Sequence, residues 1–230
     1  MEKNYSFKNH KDEHRRIRHS QIVSTCAVII VASFTGFIVE NAWLAFRFGY
    51  IDNRGMLFPF IFGYGIAIIA VFMLFGLPSN PLFFGKPYKS NHNKDLKYIL
   101  CIMISVCIGE AGLGKIVEII SGVHWWDYTE VPFHIGQYTS IPTSLGFALI
   151  IYLFMKKAFN PICQYANHLD ANNNAKIIAV LMGFIIFDYF FSTIFMVRNG
   201  GTILTWRKEL PSPEQLQQII WGLMPPAHTP

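Results

Sequence analysis

The stretch IVSTCAVIIVASFTGFIVENAWLAF, residues 22–46, decides the fold. It carries one charged side chain, Glu40, and coiled at about 1.5 Å per residue it exceeds the ~30 Å hydrocarbon core of a bilayer. The residues before it, MEKNYSFKNHKDEHRRIRHS, form a polar, mostly basic tail without apolar periodicity. Such a tail buries no core, so it is expected to be mobile or bound at a lipid surface. The apolar run is too long for a signal-peptide core and shows no small-residue cleavage site, so it is expected to remain as a membrane helix.

Four further apolar runs follow, at residues 59–77, 98–120, 141–155 and 177–196. Each is near the length that crosses hydrocarbon. The shortest, 141–155, needs Ser140 and the Lys156–Lys157 end at the interfaces, with the lysines snorkelling. Composition agrees: the 230 residues are 52% hydrophobic, 16% aromatic and 14% charged, whereas soluble domains carry about 25% charge. The expected fold is an all-α integral membrane protein, a bundle of about five transmembrane helices over residues 21–197. It lies between a basic cytoplasmic tail, 1–20, and an outer-face tail, 198–230. In that second tail Ser212, Pro213 and Gln215 read as an N-cap, a first-turn proline and a capping-box partner. An amphipathic helix is expected there, lying in the interface on Leu216, Ile219, Ile220 and Leu223.

The net charge of +5 does not indicate nucleic acid, because the basic residues are segregated by loop. On an alternating five-span path, thirteen Lys and Arg fall in the first tail and in the loops around residues 78–97 and 156–176. Five fall on the other side, and the loop GVHWWDYTEVPFHIGQYTS has none. The excess places the N-terminus in the cytoplasm and the aromatic loop outside, its tryptophans and tyrosines at headgroup level. Cys26, Cys101, Cys107 and Cys163 show no metal spacing and no exported disulfide framework.

Charged side chains inside a bilayer cost about 2.5–3.5 kcal/mol each on insertion scales and normally face the bundle interior. Here they are Glu40 in the first run, Glu110, Lys115 and Glu118 in the third, and Asp188 in the fifth. Glu110 and Glu118 are eight residues apart and share a helix face, as do Asp188 and Ser192 one turn apart. A shared polar cavity is expected, with Glu40, Glu118 and Asp188 near Arg54 and the aromatic loop, and with Glu110 deeper. The expected substrate-binding set is Glu40, Arg54, Glu110, Glu118, Trp125, Trp126, Asp127, Tyr128 and Asp188. Buried ion pairs that merely lock helices are the structural alternative. Ser33, Gly36, Gly63, Gly65, Ser105, Gly109 and Gly112 read as sites of close helix packing. His124, His134, Asp127 and Glu130 lack metal-ligand spacing, no serine stands in a nucleophile-elbow context, and no phosphate loop occurs. No cofactor or metal is called for.

Gly36-Phe37-Ile38-Val39-Glu40, Asn53-Arg54-Gly55, Glu110, Trp125-Trp126-Asp127-Tyr128 with Pro132-Phe133, Ser144-Leu145, and Asp188 with Ser192 occur in order. Over roughly residues 33–195 this pattern resembles the bacterial family called putative ABC-transporter type IV. Departures are Phe37 in place of a tryptophan, FPFIFGYG for a Gly/Pro-rich stretch, and Gln137 where the family carries an arginine. The resemblance implies a multi-pass protein of the bacterial plasma membrane concerned with transport, whose partners are the lipid bilayer and an ATPase subunit or further copies of itself. Two functions are carried forward. One is a permease-like protein binding or moving a small solute or cation. The other is a membrane-embedded enzyme acting on a lipid or lipid-linked substrate, with a carboxylate as general base. An accessory subunit of a membrane complex is a third reading.

Overall fold

A computed structural model describes residues 2–83, 85–88, 92–122, 124, 126–168 and 172–211, with side chains described from residue 17 onward except at 172–174. The expected C-terminal amphipathic helix begins at Ser212 and lies outside the described residues.

Helix α1 runs from Glu2 to Phe48. The basic tail therefore continues the first membrane helix instead of standing apart from it. A helix nucleated in the 25-residue, mostly apolar run 22–46 extends into polar sequence at little further cost, since nucleation is the unfavourable step. Strand β1 (Tyr50–Asp52) follows, then α2 (Phe62–Phe75). A three-stranded antiparallel turn region, β2 (Gly76–Leu77), β3 (Asn80–Phe83) and β4 (Lys86–Pro87), leads to α3 (Lys94–Ser121). The aromatic loop contains a hairpin, β5 (His134–Ile135) against β6 (Thr139–Ser140). Helices α4 (Ile141–Lys157), α5 (Phe159–His168) and α6 (Asn172–Asn199) complete the bundle, and β7 (Arg207–Glu209) returns to pair with β1.

Three helices are long and apolar enough to cross a membrane, within Ile17–Phe48, Lys94–Ser121 and Ala175–Asn199. A fourth span exists if α4 and α5, bent by 42° at their junction, form one broken crossing. About five were expected; with α4 and α5 counted as one crossing the difference lies in the run 59–77, and otherwise in 141–155 as well. Helix α2 of the run 59–77 has 14 residues, a rise of about 21 Å at 1.5 Å per residue. Pro59 disfavours helix in the residue before it, and Gly76 ends α2 at a positive φ (63°) with an extended ψ (−150°), a combination open to glycine.

The apolar core joins Val28 of α1, Ile68 of α2, Ile102 of α3, Ile151 and Met155 of α4, and Phe159 of α5. It sits toward the end that bears β2–β4, where the fully buried Tyr98 donates its hydroxyl to the Gly76 carbonyl at 2.7 Å. Outward faces are apolar too: Ile108 and Ile119 on α3 and Phe187 and Phe190 on α6 are more than half exposed. Faces of that kind on long helices are what hydrocarbon solvates. The opposite end gathers the segments 49–61, 126–140 and 200–211, which carry Asn53, Arg54, Tyr128 and Thr139.

Candidate functional site

Asn53-Arg54-Gly55-Met56 is a tight turn whose two central residues both have positive φ, 52° at Arg54 and 74° at Gly55, closed by a Met56 N–H to Asn53 carbonyl bond of 3.0 Å. This is the mirror-image turn that favours glycine, and at Gly55 a Cβ would also approach Thr202 at 3.1 Å. Arg54 has no such freedom. A non-glycine residue held there costs about 1–3 kcal/mol and persists only where its surroundings over-determine it. They do so through Asn53, which is 2% exposed. Its amide donates to the carbonyls of Met56 (2.7 Å) and Ile203 (2.8 Å) and accepts the Thr205 N–H at 3.3 Å. The β1–β7 ladder, with Ile51 opposite Lys208, fixes the same segment from its other side.

The turn projects Arg54 onto α1. Its Nη2 donates to Glu40 Oε2 at 3.1 Å, and its Nη1 lies 3.8 Å from Asp52 Oδ1. The second Glu40 oxygen accepts the hydroxyl of Tyr64, at the start of α2. Gly36 makes this possible, because a Cβ there would collide with the Tyr64 ring. Gly36 and Glu40, one helical turn apart, thus form a slot for the ring and an acceptor for its hydroxyl. Arg54 and Glu40 keep 29% and 21% side-chain exposure, so the pair is reachable from the loop end. The Arg54 Nε is buried without a partner among the described residues. Leaving such a donor unmet costs about 1–3 kcal/mol.

Deeper on α3, Glu110 accepts the Thr139 hydroxyl at 2.7 Å and the Ser144 hydroxyl at 3.3 Å, and those two hydroxyls are 2.9 Å apart. Thr139 precedes the α4 N-cap, Ser140, whose Oγ accepts the Thr143 N–H, and all three of Thr139, Ser140 and Ser144 are buried. Tyr128 of the aromatic loop stands near both carboxylates. Burial first, then the charges of Glu110 and Glu40, push its phenol above the ordinary value. Glu40, Arg54, Tyr64, Tyr128, Glu110, Thr139 and Ser144 therefore make one polar group contributed by α1, α2, α3, α4 and two loops.

The other expected residues go elsewhere. Glu118 accepts from Lys115 (2.7 Å) and from the Tyr138 hydroxyl (2.7 Å), which also meets His124 Nδ1 at 2.9 Å. Lys115 is 60% exposed, so this is a separate group on the flank of α3. Successive residues of one loop receive the two glutamates: Tyr138 takes Glu118 and Thr139 takes Glu110, so the shared helix face serves two groups and not one cavity. Asp188 is 1% exposed, and its two oxygens accept the Leu57 and Phe58 N–H groups, both at 2.9 Å. Asp127 accepts the Thr129 N–H at 2.8 Å, which holds its carboxyl below the usual range, and it shapes the loop. Trp126 donates its indole N–H to the Tyr138 carbonyl at 2.8 Å, and Trp125 lies outside the described residues. Sequence reasoning missed Tyr64, Thr139 and Tyr138; the glycine one turn before Glu40 was the available signal for the first.

The family model described as Putative ABC-transporter type IV matches residues 27–193, which include every residue of the polar group. The chain belongs to this family. Membership together with the long apolar helices makes it a membrane protein of a transport-related type IV family, as the sequence motifs implied. Within the matched residues, Gly36 and Glu40, the Asn53-Arg54-Gly55 turn and Ser144 converge on the Glu40–Arg54–Glu110 group. Neither the curated proteins nor the solved structures yield a match. Among the described residues of this type IV family member, no three His, Cys, Asp or Glu side chains are grouped to hold a metal ion.

Proposed function

We propose that the protein is a permease-like component of the bacterial plasma membrane that binds a small solute, most favourably a cation, at Glu40, Arg54, Tyr64, Tyr128 and Glu110. The observation that carries this reading is the polar group itself, built inside an apolar bundle where such groups are functional by default. Two carboxylates, Glu40 and Asp52, meet the one guanidinium and a third, Glu110, accepts hydroxyls deeper in the group, so carboxylates outnumber cationic side chains there and a cationic solute is favoured. The Lys and Arg asymmetry supports a cytoplasmic N-terminus and an outward-facing site.

The group is closed around its own ion pair. A neighbouring cavity of about 30 Å³, lined by Ala32, Gly36, Val39, Tyr64 and Phe147 among others, has room for a water and not for a solute. Loading then requires the Arg54 turn or the aromatic loop to move, and an ATPase partner or further copies of the chain supply the means. The decisive experiment is purification from the native host in nanodiscs, with mass spectrometry of bound proteins and small molecules, followed by uptake of the retained cation into proteoliposomes. Uptake abolished by Glu40→Gln and by Arg54→Gln, both folded, is the expected result. Full uptake in both variants overturns the assignment.

A further inference from the structure

We infer that Asp188 is a positioning residue, which sets the Arg54 guanidinium on Glu40 by clamping the chain just after the Asn53-Arg54-Gly55 turn. This rests on the Glu40–Arg54 site proposed above, but it concerns how that site is built. Asp188 lies eleven residues before the end of α6 at Asn199, about 16 Å along the helix, and is fully buried. A carboxylate at that depth demands compensation. Among the described residues it has no cationic partner. Its donors are the N–H groups of Leu57 and Phe58, one on each oxygen, and the Ser192 hydroxyl at 3.1 Å.

Two consecutive N–H groups directed at the two oxygens of one carboxylate fix both the position and the orientation of residues 57–58. Pro59 follows, with no N–H of its own and a restraint that keeps Phe58 extended. Only Met56 separates this clamp from Gly55, and Met56 is buried with its N–H and carbonyl both bonded to Asn53. From Leu57 back to Arg54 the chain therefore has no slack. The clamp joins Asn53 in holding Arg54 in its left-handed conformation, and it ties α6 to the turn that carries the guanidinium. Both Asp188 oxygens are engaged by this loop, so they are not the ones that meet a solute.

The test uses the full-length protein in nanodiscs and phenylglyoxal, an arginine reagent, with the rate at each arginine read by peptide mass spectrometry. Asp188→Asn cannot accept both N–H groups. It is expected to speed modification of Arg54 about five-fold, the effect of one lost hydrogen bond, with Arg47 and Arg198 unchanged. Amide exchange at Leu57 and Phe58 should rise with it. Glu40→Gln should also speed Arg54 modification yet leave exchange at Leu57 and Phe58 as in the parent, which orders the two contacts. Ser192→Ala removes one donor and should give a smaller rise at Arg54. An unchanged Arg54 rate in folded Asp188→Asn, or an equal rise at all three arginines, overturns the inference. If Asp188→Asn does not fold, Ser192→Ala decides by the same reading. A failed uptake experiment beside a positive result here removes the transport reading and leaves the positioning role standing.

Discussion

Gly36 of α1 lies directly beneath the ring of Tyr64, whose hydroxyl reaches Glu40 one turn further along the same helix. Space at one position and an acceptor at the other are both needed, and they come from a single helix face. Gly36→Ala should therefore destabilise the protein by about 1–3 kcal/mol through overpacking and lift Tyr64 away from Glu40. Thermal unfolding in detergent checks the first effect. Tyr64→Phe, which keeps the ring and removes only the hydroxyl, should leave the packing intact and separate the two.

Asn53 holds three backbone groups, one in its own turn and two in the distant segment 200–211. Asn53→Ala leaves the Met56 and Ile203 carbonyls and the Thr205 N–H to find other partners, at a cost of about 2–4 kcal/mol. The segment 200–211 should then exchange its amides faster and become a site of proteolysis while α3 and α4 keep their protection. Unaltered exchange across 200–211 would show that the β1–β7 ladder alone holds it.

Alkaline pH should loosen the aromatic loop. Burial raises the Tyr128 phenol, and burial together with the Glu118 contact raises Tyr138. A group raised on folding contributes stability that is complete below its unfolded value, near 10 for a phenol, and is lost as pH climbs through the folded value. Melting temperature should hold steady up to about pH 9 and fall above about pH 10, less steeply in Tyr128→Phe. Asp127 has the opposite sign: its lowered carboxyl contributes above the ordinary carboxyl value, and that contribution disappears only as acid carries the pH through the folded one.

Tyr138→Phe distinguishes the two carboxylate groups. It removes the hydroxyl that donates to Glu118 and meets His124 Nδ1, without touching Glu110. Solute binding should survive it, whereas Thr139→Val, which strips a hydroxyl from Glu110, should weaken binding. Equal loss in both variants would mean that the groups work as one.

The membrane helices were legible because an unbroken apolar run has few alternatives in lipid. The run 59–77 was not, since its apolar character continues through Pro59 and Gly76, where backbone geometry ends the helix and hydropathy does not change. At the site, Glu40 and Glu110 were visible as charges in the wrong solvent, and Arg54 through the Asn53-Arg54-Gly55 motif. That Glu118 and Asp188 would leave them was not visible. Helical period gives the face of each residue but not which loop covers that face, and here Tyr138, Leu57 and Phe58 decide. Gly109 and Gly112, read as packing positions, have open space beside them, whereas Gly36 and Gly65 are filled by Tyr64 and by Ile29 with Ser33.

The bond from Asn53 to Ile203 joins residues 150 apart in the chain, and the Leu57 to Asp188 bond joins residues 131 apart. The Asn53-Arg54-Gly55 turn is thus made long before the groups that hold it exist. At about 5–20 residues per second of synthesis, Arg54 waits on the order of ten seconds or more for its clamp. During that interval Glu40 sits in a half-built membrane protein without a fixed counter-charge. The Glu40–Arg54 pair is consequently a late event in biogenesis, fixed only after α6 and the segment 200–211 have been made.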